Sequence, residues 1–176
     1  MEQLSHKDIK NKQQKFPIHI LCDAIRTPEN IGMCFRVAES FGVEKIYLQE
    51  NSPFDENRKV VKTARNTLHQ IKCEFYGDFD EKLCILKELG YTIIGIEITD
   101  KSIEIQDFNF KKLEKIVLIL GSERNGISNT NLIDFTISIP MYGRNSSMNV
   151  IHSLAIALYE ITNQLKDHLK LLKEKE

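Results

Sequence analysis

The chain has 176 residues, 41% hydrophobic and 28% charged, the balance of a single soluble globular domain whose core needs no staples. Its formal net charge is −1, which excludes a globally basic molecule, so contact with a polyanion must come from local patches. The longest apolar runs, such as Ile116 to Leu120, are too short to span a bilayer, and Met1-Glu2-Gln3-Leu4-Ser5-His6-Lys7 lacks the apolar stretch of a secretory leader.

The four cysteines, Cys22, Cys34, Cys73 and Cys84, form no Cys-x-x-Cys pair and stand at no zinc-ligand spacing from a histidine, so no metal site is expected. Three of them fall inside apolar segments. They read as buried free thiols in a reducing cytoplasm.

Residues 1–16 are polar and rich in Lys and Gln, an arm or short helix. Ile18 to Cys22 reads as a buried strand. Pro28 stands where a first helical turn accepts proline, and Ile31, Cys34, Phe35, Ala38 and Phe41 then recur at helical spacing up to Gly42. Lys45 to Leu48 is a second strand, and a short basic helix follows near Arg58 to Arg65. Arg58, Lys62 and Arg65 would share one of its faces. Ile71 to Phe75 is a third strand, Phe79 to Leu89 a helix closed by Gly90, and Tyr91 to Ile98 a fourth strand. Ile116 to Leu120 is nearly all apolar, as in a sheet covered on both faces. Asn129 to Ile133 reads as one helical turn, and Phe135 to Ile139 as a strand stopped by Pro140. A long helix runs from about Ser147 past Leu165, with the stripe Ile151, Leu154, Ala155, Leu158, Ile161 and Leu165. Strands alternating with helices predict an α/β fold with a mainly parallel sheet flanked by helices.

Ligands of such sheets bind beyond the carboxyl ends of the strands, and three polar, glycine-containing segments fall there. The first is Arg26-Thr27-Pro28-Glu29-Asn30-Ile31-Gly32-Met33-Cys34-Phe35-Arg36-Val37-Ala38. Gly32 and Arg36 fall off the apolar stripe, and the missing side chain of Gly32 would let a phosphate or sugar approach the backbone beneath Arg36. The second is Leu120-Gly121-Ser122-Glu123-Arg124-Asn125-Gly126-Ile127-Ser128, whose glycine spacing matches neither a Walker nor a dinucleotide loop. The third is Ile139-Pro140-Met141-Tyr142-Gly143-Arg144-Asn145-Ser146-Ser147-Met148-Asn149-Val150. Here Ser146 or Ser147 is the expected helix cap, and Asn149 offers an amide donor and acceptor.

In this order the three segments resemble the signature motifs of the SpoU (TrmH-like) branch of the SPOUT methyltransferases. Asn30-Ile-Gly32-Met-Cys-Phe-Arg36-Val-Ala38 looks like Asn-x-Gly-x-x-x-Arg-x-Ala, and Gly121-Ser-Glu123-Arg-Asn-Gly126 looks like Gly-x-Glu-x-x-Gly. Ile139-Pro140-Met141-x-Gly143 with Ser147-Met148-Asn149-Val150 looks like the third motif. The resemblance covers Ile18 to about Ile161. Phe41-Gly42-Val43-Glu44-Lys45-Ile46-Tyr47-Leu48 and Lys62-Thr63-Ala64 also fit between motifs.

The resemblance implies a deep C-terminal trefoil knot within roughly Ile116 to Ile161, otherwise nearly absent from proteins. It implies S-adenosylmethionine held in the knot, a homodimer packed through the last helix, and transfer of methyl to an RNA ribose 2′-hydroxyl in the cytoplasm. The implied cofactor contacts are Ile96, Glu97, Leu120, Gly121, Ile139, Met141, Ser147 and Met148, many of them through backbone. The implied catalytic set is Arg36, Asn30, Glu123, Ser147 and Asn149, with no metal. An arginine is no free base, because its pKa exceeds about 12. Arg36 would instead hold the RNA phosphate and stabilise charge developing on the 2′-oxygen. The proton would leave to a phosphate oxygen, water or Glu123. RNA contact is expected from Arg58, Lys59, Lys62 and Arg65 with Lys7, Lys10, Lys12 and Lys15, and a second lysine cluster stands at Lys111, Lys112 and Lys115. His152 departs from the small residue usual for the family and is expected to face solvent or the dimer partner. The expected organisation is an arm at 1–16, one methyltransferase domain at 17–165 and a helix end or tail at 166–176. No separate RNA-binding domain is expected. The substrate is expected to be tRNA, with rRNA as the alternative within the family and a catalytically silent RNA-binding or assembly protein as the alternative outside it.

Overall fold

The central strand shows how the pattern becomes structure. In β6 (Ile116–Leu120) every side chain is buried. Alternate residues of a strand point to opposite faces, so Ile116, Leu118 and Leu120 enter one core while Val117 and Ile119 enter the other. The computed structural model describes Leu4, Asp8, Asn11 and residues 13–173, with 167–173 as backbone only. Lys7, Lys10 and Lys12 lie outside the described residues.

The elements before β6 are β1 (Phe16–Cys22), α1 (Pro28–Ser40), β2 (Val43–Gln49), α2 (Arg58–Ala64), β3 (Lys72–Tyr76), α3 (Phe79–Glu88), β4 (Thr92–Ile96) and β5 (Ile103–Glu104). After it come β7 (Phe135–Ser138) and α4 (Val150–Lys173). The seven strands lie in the order β3-β2-β1-β6-β4-β7-β5, and all pairings are parallel. Residues of α1 and α4 fill the first core, and residues of α3 fill the second. The expected α/β sheet flanked by helices is present.

Four expectations change. The two-residue β5 adds an edge beside β7, pairing Ile103 with Ile137, and is too short to show a period. Only one turn, closed by Ile133 N donating to Thr130 O at 3.2 Å, stands where a helical turn was expected between Asn129 and Ile133. Helix α2 stops at Ala64 because Arg65 takes φ +55° and opens a 3₁₀ turn to Thr67, so Arg65 leaves the face of Arg58 and Lys62. Helix α4 starts at Val150, and its cap is Asn149, not a serine: Asn149 Oδ1 accepts from Ile151 N at 2.8 Å.

The cysteines divide. Cys22 and Cys34 are buried with sulfurs 4.0 Å apart, Cys73 is half-buried and Cys84 is exposed. On α4, the helix expected to pack the dimer, Ile151, Ala157 and Leu158 are buried in the chain's own core, Val150 is half-buried, and Ile156 and Tyr159 are left exposed.

Candidate active site

A cavity of about 400 Å³ opens beyond the carboxyl ends of β4, β6 and β7, a volume suited to a small-molecule ligand. Ile96, Ile137, Ile139 and Met141 give it apolar walls, and Glu97, Gly121, Glu123, Ser147, Met148 and Asn149 line it as well. Every residue expected to touch a cofactor therefore lines one cavity, except Leu120. That residue is fully buried, and its carbonyl accepts from Asp23 N at 2.8 Å.

The loop after β6 is shaped by its glycines. Ser122 and Gly126 exchange backbone hydrogen bonds of 2.9 and 3.1 Å, which folds Gly121 against Gly126. A Cβ on Gly121 would stand 2.4 Å from the Gly126 carbonyl carbon. Gly126 itself has φ +67°, and a Cβ there would meet Glu97 Oε2 at 2.3 Å.

Side-chain amides tie the three motif segments together. Asn149 Oδ1 is occupied by the α4 amide, so its Nδ2 faces Asn30 and donates to Oδ1 at 3.1 Å. Asn30 Nδ2 in turn donates to Glu123 Oε1 at 2.8 Å. Partial burial works against ionisation of Glu123, but hydrogen bonds from Asn30 and Thr27 outweigh it and hold the carboxyl below the usual carboxylate range. Glu123 is an anchored carboxylate at neutral pH and a weak base.

Neither Asn30 nor Arg36 lines the cavity. Arg36 is half-buried, and its guanidinium makes no hydrogen bond or ion pair among the described residues. The expectation of open space at Gly32 is overturned. Gly32 is buried, and a Cβ there would stand 2.0 Å from Thr63 Oγ1 and 2.4 Å from Val60 O. The glycine lets α1 press against α2; it leaves no gap for a ligand. Arg36, one turn later on nearly the same face, therefore lies toward α2.

Of the expected RNA contacts, Arg58, Lys59, Lys62 and Arg65 are all exposed. Lys59 pairs with Glu29 in the first turn of α1 at 2.9 Å, which sets the start of α2 beside the first motif. Lys15 is exposed, and its ammonium donates to Val43 O at 3.1 Å. His152 is exposed. Arg124, Ile98, Ser138, Val150 and Ser153 also line the cavity without having been singled out. Arg124 stood inside the second motif as a variable position, so only its place in that loop could have marked it. Asp23, buried at the end of β1, accepts from both the amide and the hydroxyl of Ser128. The signal it offered was an acidic residue directly after an apolar strand.

Among the described residues no three His, Cys, Asp or Glu gather as a metal site, and no helix is long and apolar enough to cross a membrane.

Comparison with known proteins addresses the same segments. An uncharacterized tRNA/rRNA methyltransferase of Synechocystis sp. is 30% identical over 159 residues, covering 89% of this chain and 41% of its own length. The 23S rRNA (guanosine-2′-O-)-methyltransferase of Blochmanniella floridana is 28% identical over 160 residues, covering 90% of this chain and 62% of its own. The chain thus spans about two fifths and three fifths of these relatives. The crystal structure of the A. aeolicus TrmH/SpoU tRNA modifying enzyme shares the fold, with a TM-score of 0.78 and 20% identity over 92% of this chain and 88% of that one. The model of the SpoU rRNA Methylase family matches residues 17–159, a span holding the cavity and all three amide-linked segments, and the chain belongs to that family.

Proposed function

We propose that the chain transfers the methyl group of S-adenosylmethionine to a ribose 2′-hydroxyl of RNA, with tRNA the expected substrate. The observation that carries this reading is the chain of hydrogen bonds Asn149–Asn30–Glu123. It joins three segments far apart in sequence beside a cavity whose walls suit a nucleoside. The relatives named above act on tRNA or rRNA by name, one of them at a guanosine 2′-oxygen.

The residues present fit the cofactor. Ile96, Ile137, Ile139 and Met141 offer apolar surface to an adenine. Backbone at Gly121 and the polar groups of Glu97 and Ser147 offer hydrogen bonds to its sugar and amino acid ends. When bound, S-adenosylmethionine supplies a sulfonium-activated methyl group. The chain's own residues hold the acceptor in line and stabilise the oxygen as it loses its proton. Arg36, half-buried and without an internal hydrogen bond or ion pair among the described residues, binds the RNA phosphate and the developing negative charge. Asn30 and Asn149 fix the motif segments, and Ser147 positions the acceptor. Glu123, held below the ordinary carboxylate range by its donors, is the anchor of that array. The proton therefore passes to water or a phosphate oxygen.

The family fold further implies that residues from Ile116 to about Ile161 thread a trefoil knot. It also implies a homodimer that covers the exposed face of α4. Transfer of label from S-adenosylmethionine to total tRNA and total rRNA, with the product digested to nucleosides, tests the reaction. A 2′-O-methylated nucleoside is expected from tRNA. Label on rRNA alone would move the substrate, and label on a base would overturn the ribose assignment.

A further inference from the structure

Two carboxylates grip consecutive amides of the segment leaving the second motif. Glu97, at the end of β4, accepts from Ile127 N through Oε2 at 3.2 Å. Asp23, at the end of β1, accepts from Ser128 N at 2.6 Å and from Ser128 Oγ at 2.7 Å, all through Oδ2. β1 and β4 are the two neighbours of β6 in the sheet. The loop that leaves β6 is therefore held from both sides where it returns. Glu97 also faces the cavity. Asp23 does not: it is 2% exposed and lines no part of the cavity, its carboxylate bonding to Ser128 and its backbone amide to the Leu120 carbonyl. Burying a carboxylate is costly unless its oxygens are hydrogen-bonded, and these bonds go to the loop and not to the body of the sheet.

We infer that Asp23 is a positioning residue for the cofactor, acting through Ser128 on the loop Gly121–Gly126; the inference rests on the proposed reading of the cavity. The loop has no apolar anchor between Gly121 and Ile127; its inner bonds are the Ser122–Gly126 pair and the Ser122 hydroxyl contacts, and on its far side Glu123 is held by Asn30 and Thr27. Its outer end is fixed by Ile127, which packs in the second core, and by the two carboxylates. Releasing the Asp23 side lets Ser128 and the preceding residues move away from β1, widening the wall that Gly121, Ser122 and Glu123 give the cavity. Ionised acceptors make hydrogen bonds roughly twice as strong as neutral ones, so Asp23→Asn weakens the hold without changing the shape of the side chain.

The test is calorimetric binding of S-adenosylhomocysteine, with thermal melting and amide hydrogen exchange, for the full chain and four variants. Asp23→Asn is expected to weaken binding about tenfold and Asp23→Ala about a hundredfold. Ser128→Ala, at an exposed position that leaves the fold intact, is expected to weaken it a few-fold. Exchange at residues 122–128 should quicken in each. Tyr76→Phe is the control: it removes the 2.9 Å bond from Tyr76 Oη to the Cys22 carbonyl, next to Asp23 but outside the loop. It should lower the melting temperature and leave binding unchanged. Binding by Asp23→Asn and Ser128→Ala within twofold of the parent would overturn the inference, as would an equal loss in Tyr76→Phe, which would reduce Asp23 to general stability. No binding by the parent chain would overturn the reading of the cavity and this inference with it.

Discussion

Asn149 sets the polarity of the site with a single amide. Its oxygen caps α4, so its nitrogen must point at Asn30, whose own nitrogen must then point at Glu123. The order of donors and acceptors is fixed by one helix terminus. Asn30→Asp would set a second carboxylate against Glu123, and like charges so close cannot both ionise cheaply. Cofactor binding by this variant should fall at neutral pH and recover in part as the pH is lowered toward 5, read by calorimetry across that range. Arg36 carries the strongest functional expectation. Arg36→Ala should lower single-turnover methylation about 100- to 1000-fold with cofactor affinity little changed. Arg36→Lys should remain badly impaired, because an ammonium lacks the planar two-pronged donor. These residues were legible as types at fixed spacing, but the direction of the amide relay was not, because it depends on where α4 begins.

Between elements, the most informative contact is α1 on α2 at Gly32. A helix-weakening glycine off an apolar stripe looks like space for a ligand, whereas the structure fills that space with Thr63 and Val60. The sequence could not distinguish the two, because the partner lies on a helix whose placement depends on the whole sheet. Gly32→Ala should force α1 from α2 and destabilise the chain by about 1–3 kcal/mol, as overpacking does, measured by urea unfolding. A change within about 0.5 kcal/mol would contradict the close approach. Helix α2 also carries exposed Arg58 and Lys62, with Arg65 in the turn that follows. Replacing Lys62 and Arg65 with Ala should weaken RNA binding and flatten its salt dependence by about one unit of slope per lost phosphate contact. Unchanged affinity and slope would leave this rim as ordinary solvated surface.

For the whole molecule, the parallel sheet was legible because covered strands are uniformly apolar. The edge strand β5 and the strand order were not, since two residues carry no period and pairing is non-local. The second core hides a polar knot of contacts that no motif marked. His19, 6% exposed, lies between Tyr47 Oη and Tyr91 Oη, each 3.1 Å from a ring nitrogen. Burial first, then the charge of Lys45, with Lys82 and Lys115 adding to it against the opposing pull of Glu74, lower its pKa to about 4. Glu44 approaches at 3.7 Å. The unfolded chain takes up this proton near pH 6.5 and the folded one near 4. His19 therefore leaves stability untouched above about 6.5 and costs progressively more as the pH falls from there to about 4. His19→Gln should flatten that part of the stability profile in chemical denaturation. An unchanged acid limb would contradict the assignment.

Ile156 and Tyr159 leave apolar surface on α4, and a homodimer would cover it. Sedimentation at micromolar concentration should show a species near twice the 20.4 kDa chain, reduced toward the monomer by Tyr159→Glu. A parent chain sedimenting only as a monomer would contradict the dimer.

The amide-linked motifs and the cavity beside them are proposed to make a ribose methyltransferase. Single-turnover transfer of labelled methyl to total tRNA, for the parent and Arg36→Ala side by side with cofactor titrations, tests it most directly. The parent should yield 2′-O-methylated nucleoside, and the variant should lose about 100-fold or more while still folding and binding cofactor. A folded variant that methylates within a few-fold of the parent would contradict it, as would a parent that binds cofactor yet labels neither tRNA nor rRNA.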